Sequence, residues 1–331
     1  SWRWGLFINV PIGIGLVFAA RHVLTETPVE SGRFDVTGAL ASTLGITSLV
    51  YGFIRVAEAG WTSPEVLTAF GVGIVLLAVF VVIERRATHP IVPLRLFADR
   101  DRVAAYLTML LVVGTMFGMF FFLTQYLQGV LGFSPLAAGL AFLPMTGLLF
   151  TASRTVPRLV GRLGSGRLMI TGAISLVAGM SWLTQVTVDS SYAGSVVGPL
   201  ILFGIGAGLI FIPLVGRALA GVRPEDAGAG SGLLNVLQQV GGALGLGILV
   251  TIFGTASRSS VERGVPGNPA QQARQVLTDG VGAAFIGSAV FAALTLVAIV
   301  VTVRPWVRQP AVAAEPAAVQ GAPVVEPASA D

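Results

Sequence analysis

The amino-acid sequence predicts an all-α integral membrane protein with about nine transmembrane helices. Hydrophobic residues make up 54% of the 331 residues and charged residues only 11%, whereas soluble domains carry about a quarter charged residues. The mean hydropathy is +0.84. The apolar residues also occur in long runs that are nearly free of charge, and each run is long enough to cross a bilayer as a helix.

Polar stretches divide the chain into the successive predicted spans, each placed by its length and by the charges at its ends. The spans run over 5–24, 36–54, 65–83, 103–124, 136–153, 168–187, 194–214, 229–254 and 281–303. The first run does not read as a cleaved signal peptide. It has no basic segment before it and no small-residue cleavage pattern, and further spans follow it.

Two segments beside the spans are predicted to lie at the membrane surface. Trp2, Arg3 and Trp4 come directly before the first span, and two indole rings with a guanidinium between them are expected to act as an interface anchor. The stretch HPIVPLRLFADRDR, from His89 to Arg102, alternates apolar and cationic side chains. This pattern fits a short amphipathic helix along the interface or a solvated loop, and both interpretations stay open.

Two further segments are not expected to cross the membrane. The long connection after the eighth span, TASRSSVERGVPGNPAQQARQVLTDG, is expected to contain a short helix near residues 271–277. The tail, residues 304–331, is rich in alanine and proline and poor in aromatic residues, so we expect it to be disordered.

The arginines predict the orientation of the chain. All 20 basic side chains are arginines, a bias that suggests a GC-rich bacterial genome. Fifteen of them fall in alternate connections and the tail, and basic residues stay on the cytoplasmic side of short loops. The C-terminus is therefore predicted to be cytoplasmic, in the cytoplasmic membrane of a bacterium. A chain of nine spans with an external N-terminus and no targeting signal is interpreted as a fragment that lacks upstream spans.

The sequence offers little of what an enzyme or a metal site needs. Cysteine is absent, which excludes disulfides and thiolate ligands within the chain. The only histidines are His22 and His89, neither an H-E-x-x-H nor a G-x-S-x-G motif occurs, and each carboxylate falls in a connection, in the tail or near a span end. We therefore predict no catalytic residues, no metal site and no enzymatic activity. Loop arginines explain the pI of about 10.3, so no nucleic-acid partner is predicted.

Three glycine-rich motifs are predicted to be helix-packing sites. GIGAG at residues 204–208 and GAGSG at 228–232 superficially resemble a dinucleotide-binding fingerprint, but no strand precedes them and no acidic ribose partner follows. Small residues let transmembrane backbones approach closely. GGALGLG, at residues 241–247, is interpreted in the same way, with a bend or slide of the eighth span as a second possibility.

Five amide side chains stand out among the predicted spans. Gln125 and Gln128 lie one turn apart near the outer end of the fourth span, and Asn235, Gln238 and Gln239 share a face of the eighth. Buried amides need hydrogen-bond partners or a wet cavity. Hydrogen bonding between helices and a substrate path are therefore both open interpretations.

Three stretches carry a resemblance to a known family: WRWGLFINVPIG from Trp2, FFLTQYLQGVLGFSPLAAGLAFLP from Phe121 and GSGLLNVLQQVGGALG from Gly230. Together they resemble the fourteen-span drug:proton antiporters of the major facilitator superfamily, the EmrB/QacA type. The resemblance implies that the nine spans are the sixth to the fourteenth. Residues 1–24 would end the N-terminal bundle, 25–102 would form two extra linker helices and a cytoplasmic loop, 103–303 a C-terminal six-helix bundle, and 304–331 a disordered cytoplasmic tail.

The resemblance also implies a function. We expect a secondary active transporter that exports drugs or other amphipathic small molecules by alternating access. It would use the proton gradient and no cofactor, and its coupling residues would lie in the missing N-terminal spans. Its expected partners are the small-molecule substrate, the lipid bilayer and those missing spans of the same protein. The five amides are the candidates for the substrate path. Alternatives are an exporter of an endogenous metabolite, another solute carrier, a membrane enzyme and a truncated non-transporting protein.

A degenerate relative of the family's basic loop motif is present in RTVPRLVGRLGSGR. Arg158, Gly161, Arg162 and Arg167 are the candidates for a latch between helices at the cytoplasmic face. The aspartate expected after Arg162 is absent. Simple anchoring of arginines on the cytoplasmic side is therefore the other open interpretation.

Overall fold

The computed structural model describes residues 7–23, 35–87, 90–264 and 266–302, which are helical apart from short connections. The α-helices are α1 (Asn9–Val23), α2 (Val36–Ala59), α3 (Pro64–Arg86), α4 (Arg100–Gly129), α5 (Pro135–Ala141), α6 (Leu143–Leu163), α7 (Ser165–Leu183), α8 (Tyr192–Ser195), α9 (Val197–Leu219), α10 (Ala227–Glu262) and α11 (Pro269–Thr302). Two 3₁₀ helices, Leu94–Phe97 and Pro224–Asp226, precede α4 and α10. With α5–α6 and α8–α9 each counted as one segment, eight segments of the described chain are long and apolar enough to cross a membrane.

Eight of the nine predicted spans are confirmed by this measure. Of the first predicted span, 5–24, the structure describes residues 7–23, and α1 accounts for 15 of them, which is short of the roughly 20 that a crossing needs. This span therefore stays a prediction. Side chains along α1 such as Leu16 and Phe18 are more than half exposed. The predicted anchor at residues 2–4 and the predicted tail lie outside the described residues.

Local signals determine where several helices begin and end. The carboxylate of Asp35 accepts a hydrogen bond from the backbone N–H of Gly38 at 2.9 Å and caps α2. Asp99 caps α4 in the same way, through the N–H of Arg102 at 3.0 Å. Gly164 ends α6 with a φ of 81°, a left-handed conformation that lets the chain turn directly into α7.

Six long helices pack around one main hydrophobic core, and a second, smaller cluster of Ala152, Val156 and Leu168 lies between α6 and α7. α4 packs against α9, α10 and α11, and α9 packs against α6 and α7, while α11 packs against α7 and α10. The largest fully buried side chains lie inside this arrangement, among them Phe122 and Tyr126 of α4, Phe203 of α9 and Phe285 of α11. The core positions α4, α6 and α10 so that one face of each stays open.

Two of the three glycine motifs lie where helices approach closely. In GIGAG, a Cβ added to Gly206 would lie 2.7 Å from the carbonyl oxygen of Gly172 on α7. In GGALGLG, a Cβ added to Gly245 would overlap the Cα of Gly114 on α4. The packing prediction is confirmed for both motifs, because any larger side chain would push the helix axes apart.

The third motif, GAGSG, has fewer neighbours. A Cβ on Gly230 would meet the side chain of Leu219 at 3.3 Å, whereas Gly228 and Gly232 face open space within the described part of the chain. The packing prediction therefore holds for Gly230 and finds no support at the other two glycines. Those two leave the beginning of α10 with a flat, accessible surface.

The hairpin formed by α2 and α3 packs on α10 through α2. Near its turn, the guanidinium of Arg55 donates two hydrogen bonds of 2.9 Å to the carboxylate of Glu65, and the hydroxyl of Tyr51 donates a further one. Over part of its length the hairpin encloses an apolar cavity of about 630 Å³ with α10, and Leu49, Leu77 and Leu237 are among its walls.

The segment predicted to be an amphipathic helix or a solvated loop forms a single 3₁₀ turn that is tied to the bundle. Leu96 is only 1% exposed. Arg95 forms a two-pronged ion pair with Asp226, at 2.6 and 2.7 Å, beside the first turn of α10. Arg102 donates to the carbonyl oxygen of Ala220 at 3.0 Å, directly after α9.

The connection after the eighth predicted span is much shorter than expected. α10 continues to Glu262 and α11 begins at Pro269, so the helix predicted near residues 271–277 is the first part of α11. From there Arg274 donates to the carbonyl oxygen of Val130 at 2.7 Å, which holds this end of α11 against the end of α4.

Candidate functional site

The five predicted path amides lie on open or half-open helix faces. Gln125 and Gln128 of α4 are exposed, as are Asn235 and Gln239 of α10, and Gln238 is half-buried. Within the described ranges, none of the five side chains makes a hydrogen bond to another residue. Hydrogen bonding between the described helices therefore does not account for them, and their place in a substrate path stays a prediction.

The structure does not bring the two groups of amides together. α4 and α10 run side by side in the same direction, with Leu110 beside Gly241 and Gly114 beside Gly245. At this register, Gln239 is level with residue 108 of α4. Gln125 is 17 residues further along, or about 25 Å at a rise of 1.5 Å per residue. The amides thus mark two separate levels of one surface.

The open face of α4 adjoins those of α10 and α6. The ring of Phe117 lies against Gly242 of α10, where an added Cβ would meet it at 2.9 Å. On the other side of α4, Phe120 contacts Phe142, directly before α6, with ring centroids 5.2 Å apart. We call these adjoining faces the open wall. It comprises the exposed residues Phe117, Phe121, Gln125 and Gln128 of α4, Phe150, Thr151 and Arg154 of α6, and Gly232, Asn235 and Gln239 of α10.

The α6 part of this wall was missed by sequence reasoning. The fifth predicted span ends at residue 153, whereas α6 continues to Leu163. The prediction that Arg154, Arg158 and Arg162 lie in a connection is therefore wrong. A charge does not end a helix whose next two turns, with Leu159 and Val160, still pack on the core. The four-residue spacing of Phe150, Arg154 and Arg158 was the signal that could have shown one helical face.

The hydroxyl groups on this part of α6 are already bonded within the helix. Thr151 donates to the carbonyl oxygen of Gly147 at 2.8 Å, and Thr155 donates to that of Thr151 at 2.9 Å. Their lone pairs stay available as acceptors, but their protons do not. Arg154 therefore carries the free donor groups at this level of the α6 face.

The candidate latch residues lie around the turn between α6 and α7. Arg158, Gly161 and Arg162 are exposed on the last turns of α6, and Arg167 lies in the first turn of α7. Arg158 and Arg162 form no ion pair within the described residues. The latch interpretation and the anchoring interpretation both stay predictions.

Apart from Asp279, about three turns into α11, the described carboxylates lie at helix ends or in connections, and none of them lies along the middle of the open wall. Glu84, 4% exposed near the end of α3, accepts hydrogen bonds from the N–H groups of Ile91 at 3.1 Å and Val92 at 3.3 Å. Among the described residues, no three His, Cys, Asp or Glu side chains lie close enough to hold a metal ion. The prediction that proton-coupling residues lie in other spans stays untested.

The family model described as Major Facilitator Superfamily matches residues 1–246. The cephamycin export protein CmcT of Amycolatopsis lactamdurans is 38% identical over 310 residues, which cover 92% of this chain and 61% of the relative. The puromycin resistance protein pur8 of Streptomyces alboniger is 35% identical over 256 residues, covering 76% of this chain and 51% of the relative.

A third relative, the MFS-type transporter EfpA of Mycobacterium tuberculosis, is 34% identical over 256 residues, covering 76% of this chain and 48% of the relative. The chain thus spans between about half and three fifths of the length of the curated relatives it matches.

Proposed function

The chain belongs to the major facilitator superfamily, and on that basis we propose that it forms one side of the translocation path of an exporter of antibiotics or similar amphipathic compounds. It is a multi-pass membrane protein, in keeping with the eight apolar segments in the part of the chain that the structure describes. Two relatives support the substrate class, since one is named a cephamycin export protein and the other a puromycin resistance protein.

The open wall is the observation that carries the proposal. Most long helices of this chain present apolar side chains where they are exposed, such as Ile286, Val290 and Val297 of α11. The exposed faces of α4, α6 and α10 instead carry amides, hydroxyls and an arginine. Polar groups at membrane depth face a protein interior or a water-filled cavity rather than lipid. An apolar and aromatic surface with few polar groups suits a permissive binding site.

We propose the same division of the chain that the resemblance implies. Residues 103–303 would form the C-terminal bundle, and α2 and α3 would be the linker helices, which fits the packing of α2 on α10. α1 would belong to the opposing bundle, and spans beyond those of this sequence would complete the path, as the greater length of the relatives suggests. Alternating access would then rock the two bundles about the open wall.

The orientation and the energy source are part of the proposal. The end of the bundle that carries Arg95, Arg102, Arg217 and Arg223, which we call the arginine-rich end, would face the bacterial cytoplasm. Export would be driven by proton entry, with no cofactor and no enzymatic activity.

Efflux from membrane vesicles tests the proposal. The protein, expressed from its complete reading frame, is placed in inverted vesicles with a fluorescent amphipathic dye, and the proton gradient is established and then removed with a protonophore. We expect gradient-dependent uptake that the protonophore abolishes. Uptake equal to that of vesicles without the protein would reject transport. Uptake that the protonophore leaves unchanged would reject proton coupling.

A further inference from the structure

Arg154 points away from the core of the bundle. Met145 of the same helix is 1% exposed and packs against Gly204 of α9. A Cβ added to Gly204 would lie 3.0 Å from the carbonyl oxygen of Met145. Arg154 follows Met145 by nine residues, or two and a half turns, and therefore lies on the opposite side of α6. α9 supports one face of the helix, and the guanidinium is presented by the other.

Arg154 also lies well inside the membrane-spanning part of the bundle. Ala152 is level with Gly208 of α9, because a Cβ on that glycine would lie 2.5 Å from the Cβ of Ala152. α6 and α9 run in the same direction, and Arg217 follows Gly208 by nine residues. Arg154 is therefore about seven residues, or about 10 Å, deeper than Arg217 at the arginine-rich end.

The side chain of Arg154 extends towards the middle of the bundle. Its guanidinium carbon lies 4.7 Å from the centroid of the Phe150 ring, one turn further from the arginine-rich end. A headgroup anchor would extend the opposite way, towards the nearer membrane surface. Phe150 is itself 61% exposed, so the cation and the ring form one accessible surface.

This cation has no counter-charge within the described chain. Within the described residues the guanidinium contacts an aromatic ring, and the residues along the middle of α4, α6 and α10 include no carboxylate. An arginine in a low-dielectric environment is stabilised strongly by a planar anion that can accept two hydrogen bonds.

Given the proposed export function, we infer that Arg154 selects the substrate and that the substrate class is amphipathic organic anions. A carboxylate of the substrate would pair with the guanidinium, and the apolar or aromatic body beside it would contact Phe150. The chemistry of this face thus favours acidic compounds over cationic ones. Phe117 and Phe121 extend the same wall with further aromatic surface.

Two dyes that share a xanthene body test this inference, since fluorescein is an anion and rhodamine 123 a cation. Binding is measured by fluorescence anisotropy with the purified protein expressed from its complete reading frame. We expect fluorescein to bind more tightly than rhodamine 123 to the unaltered protein. Arg154→Gln should weaken fluorescein binding by about tenfold or more, as expected for the loss of one charge-assisted pair.

Two further variants separate selection from folding. Arg154→Lys keeps the charge but loses the planar fork that can bind a carboxylate through two N–H groups, so it should weaken fluorescein binding less than Arg154→Gln does. Arg100→Gln removes an exposed arginine in the first turn of α4 and should leave the affinity for fluorescein unchanged. Equal fluorescein binding by Arg154→Gln and the unaltered protein would overturn the inference. So would tighter binding of rhodamine 123 than of fluorescein, although export would then still stand. Failure to bind or transport either dye would reject both proposals.

Discussion

Arg95 and Asp226 are 131 positions apart in sequence and form a two-pronged ion pair with N–O distances of 2.6 and 2.7 Å. Arg95 is about half exposed, whereas the Asp226 side chain is 6% exposed. The Asp226 carboxylate raises the pKa of the Arg95 guanidinium above its ordinary value. The pair fastens the segment that follows the α2–α3 hairpin to the beginning of α10.

Removing this ion pair should loosen the attachment of the hairpin. Arg95→Ala leaves the Asp226 carboxylate covered without its partner, so we expect a lower Tm in detergent. Arg95→Lys should lower it less, because one charged contact remains. Arg100→Ala, which removes a nearby exposed arginine, is the matched control. A Tm of Arg95→Ala equal to that of the control would show that the pair contributes nothing measurable.

The glycine contacts predict opposite outcomes for two substitutions in α10. Gly245→Ala places a Cβ on the Cα of Gly114, so we expect a loss of about 1–3 kcal/mol in the free energy of unfolding. In Gly228→Ala the added Cβ meets open space within the described residues, so the free energy of unfolding should lie within about 1 kcal/mol of that of the unaltered protein. Thermal unfolding of both variants checks this. Similar losses would mean that GAGSG packs as tightly as GGALGLG.

The cap of α2 predicts a specific pH dependence. Hydrogen bonds from the N–H of Gly38 and the hydroxyl of Thr37 hold the pKa of the Asp35 carboxyl below its ordinary value of 3.8. The ionised cap therefore contributes stability above that value and loses it as the pH falls through the lower, folded-state pKa. Asp35→Asn should lower the Tm at pH 7, with a difference that shrinks below pH 3.8. A difference that is constant with pH would contradict this role.

Hydropathy and charge predicted the membrane class and eight of the spans, because a helix in lipid must satisfy its own backbone and cover it with apolar side chains. The same rule failed at Arg154, where charge was taken as the end of a span although the other face of α6 still packs on α9. No local sequence pattern predicts the ion pair of Arg95 with Asp226, because the two residues are 131 positions apart. The amides could be identified as unusual, but their separation by about 25 Å depends on how α4 and α10 are aligned.

The amide positions predict a change in selectivity rather than in folding. Gln239 is exposed and makes no hydrogen bond within the described ranges, so Gln239→Ala should alter the relative efflux of different compounds with little loss of folded protein. Efflux rates for a set of dyes, normalised to the amount of protein, check this. If the variant lowers the yield of folded protein and leaves the selectivity unchanged, the amide holds helices together.

The central claim is that the open wall lines an aqueous path, and thiol labelling tests it most directly. These 331 residues contain no cysteine, so Gln239→Cys and Ile286→Cys each introduce the single thiol of this part of the protein. Any cysteine elsewhere in the complete reading frame is first replaced by serine. Both native side chains are exposed, but Ile286 lies among the apolar residues of α11. We predict that a water-soluble, membrane-impermeant thiol reagent labels the α10 variant in open membranes, that a transported compound slows this labelling, and that the α11 variant stays unlabelled. Equal labelling of the two variants, or no labelling of Gln239→Cys, would contradict the account.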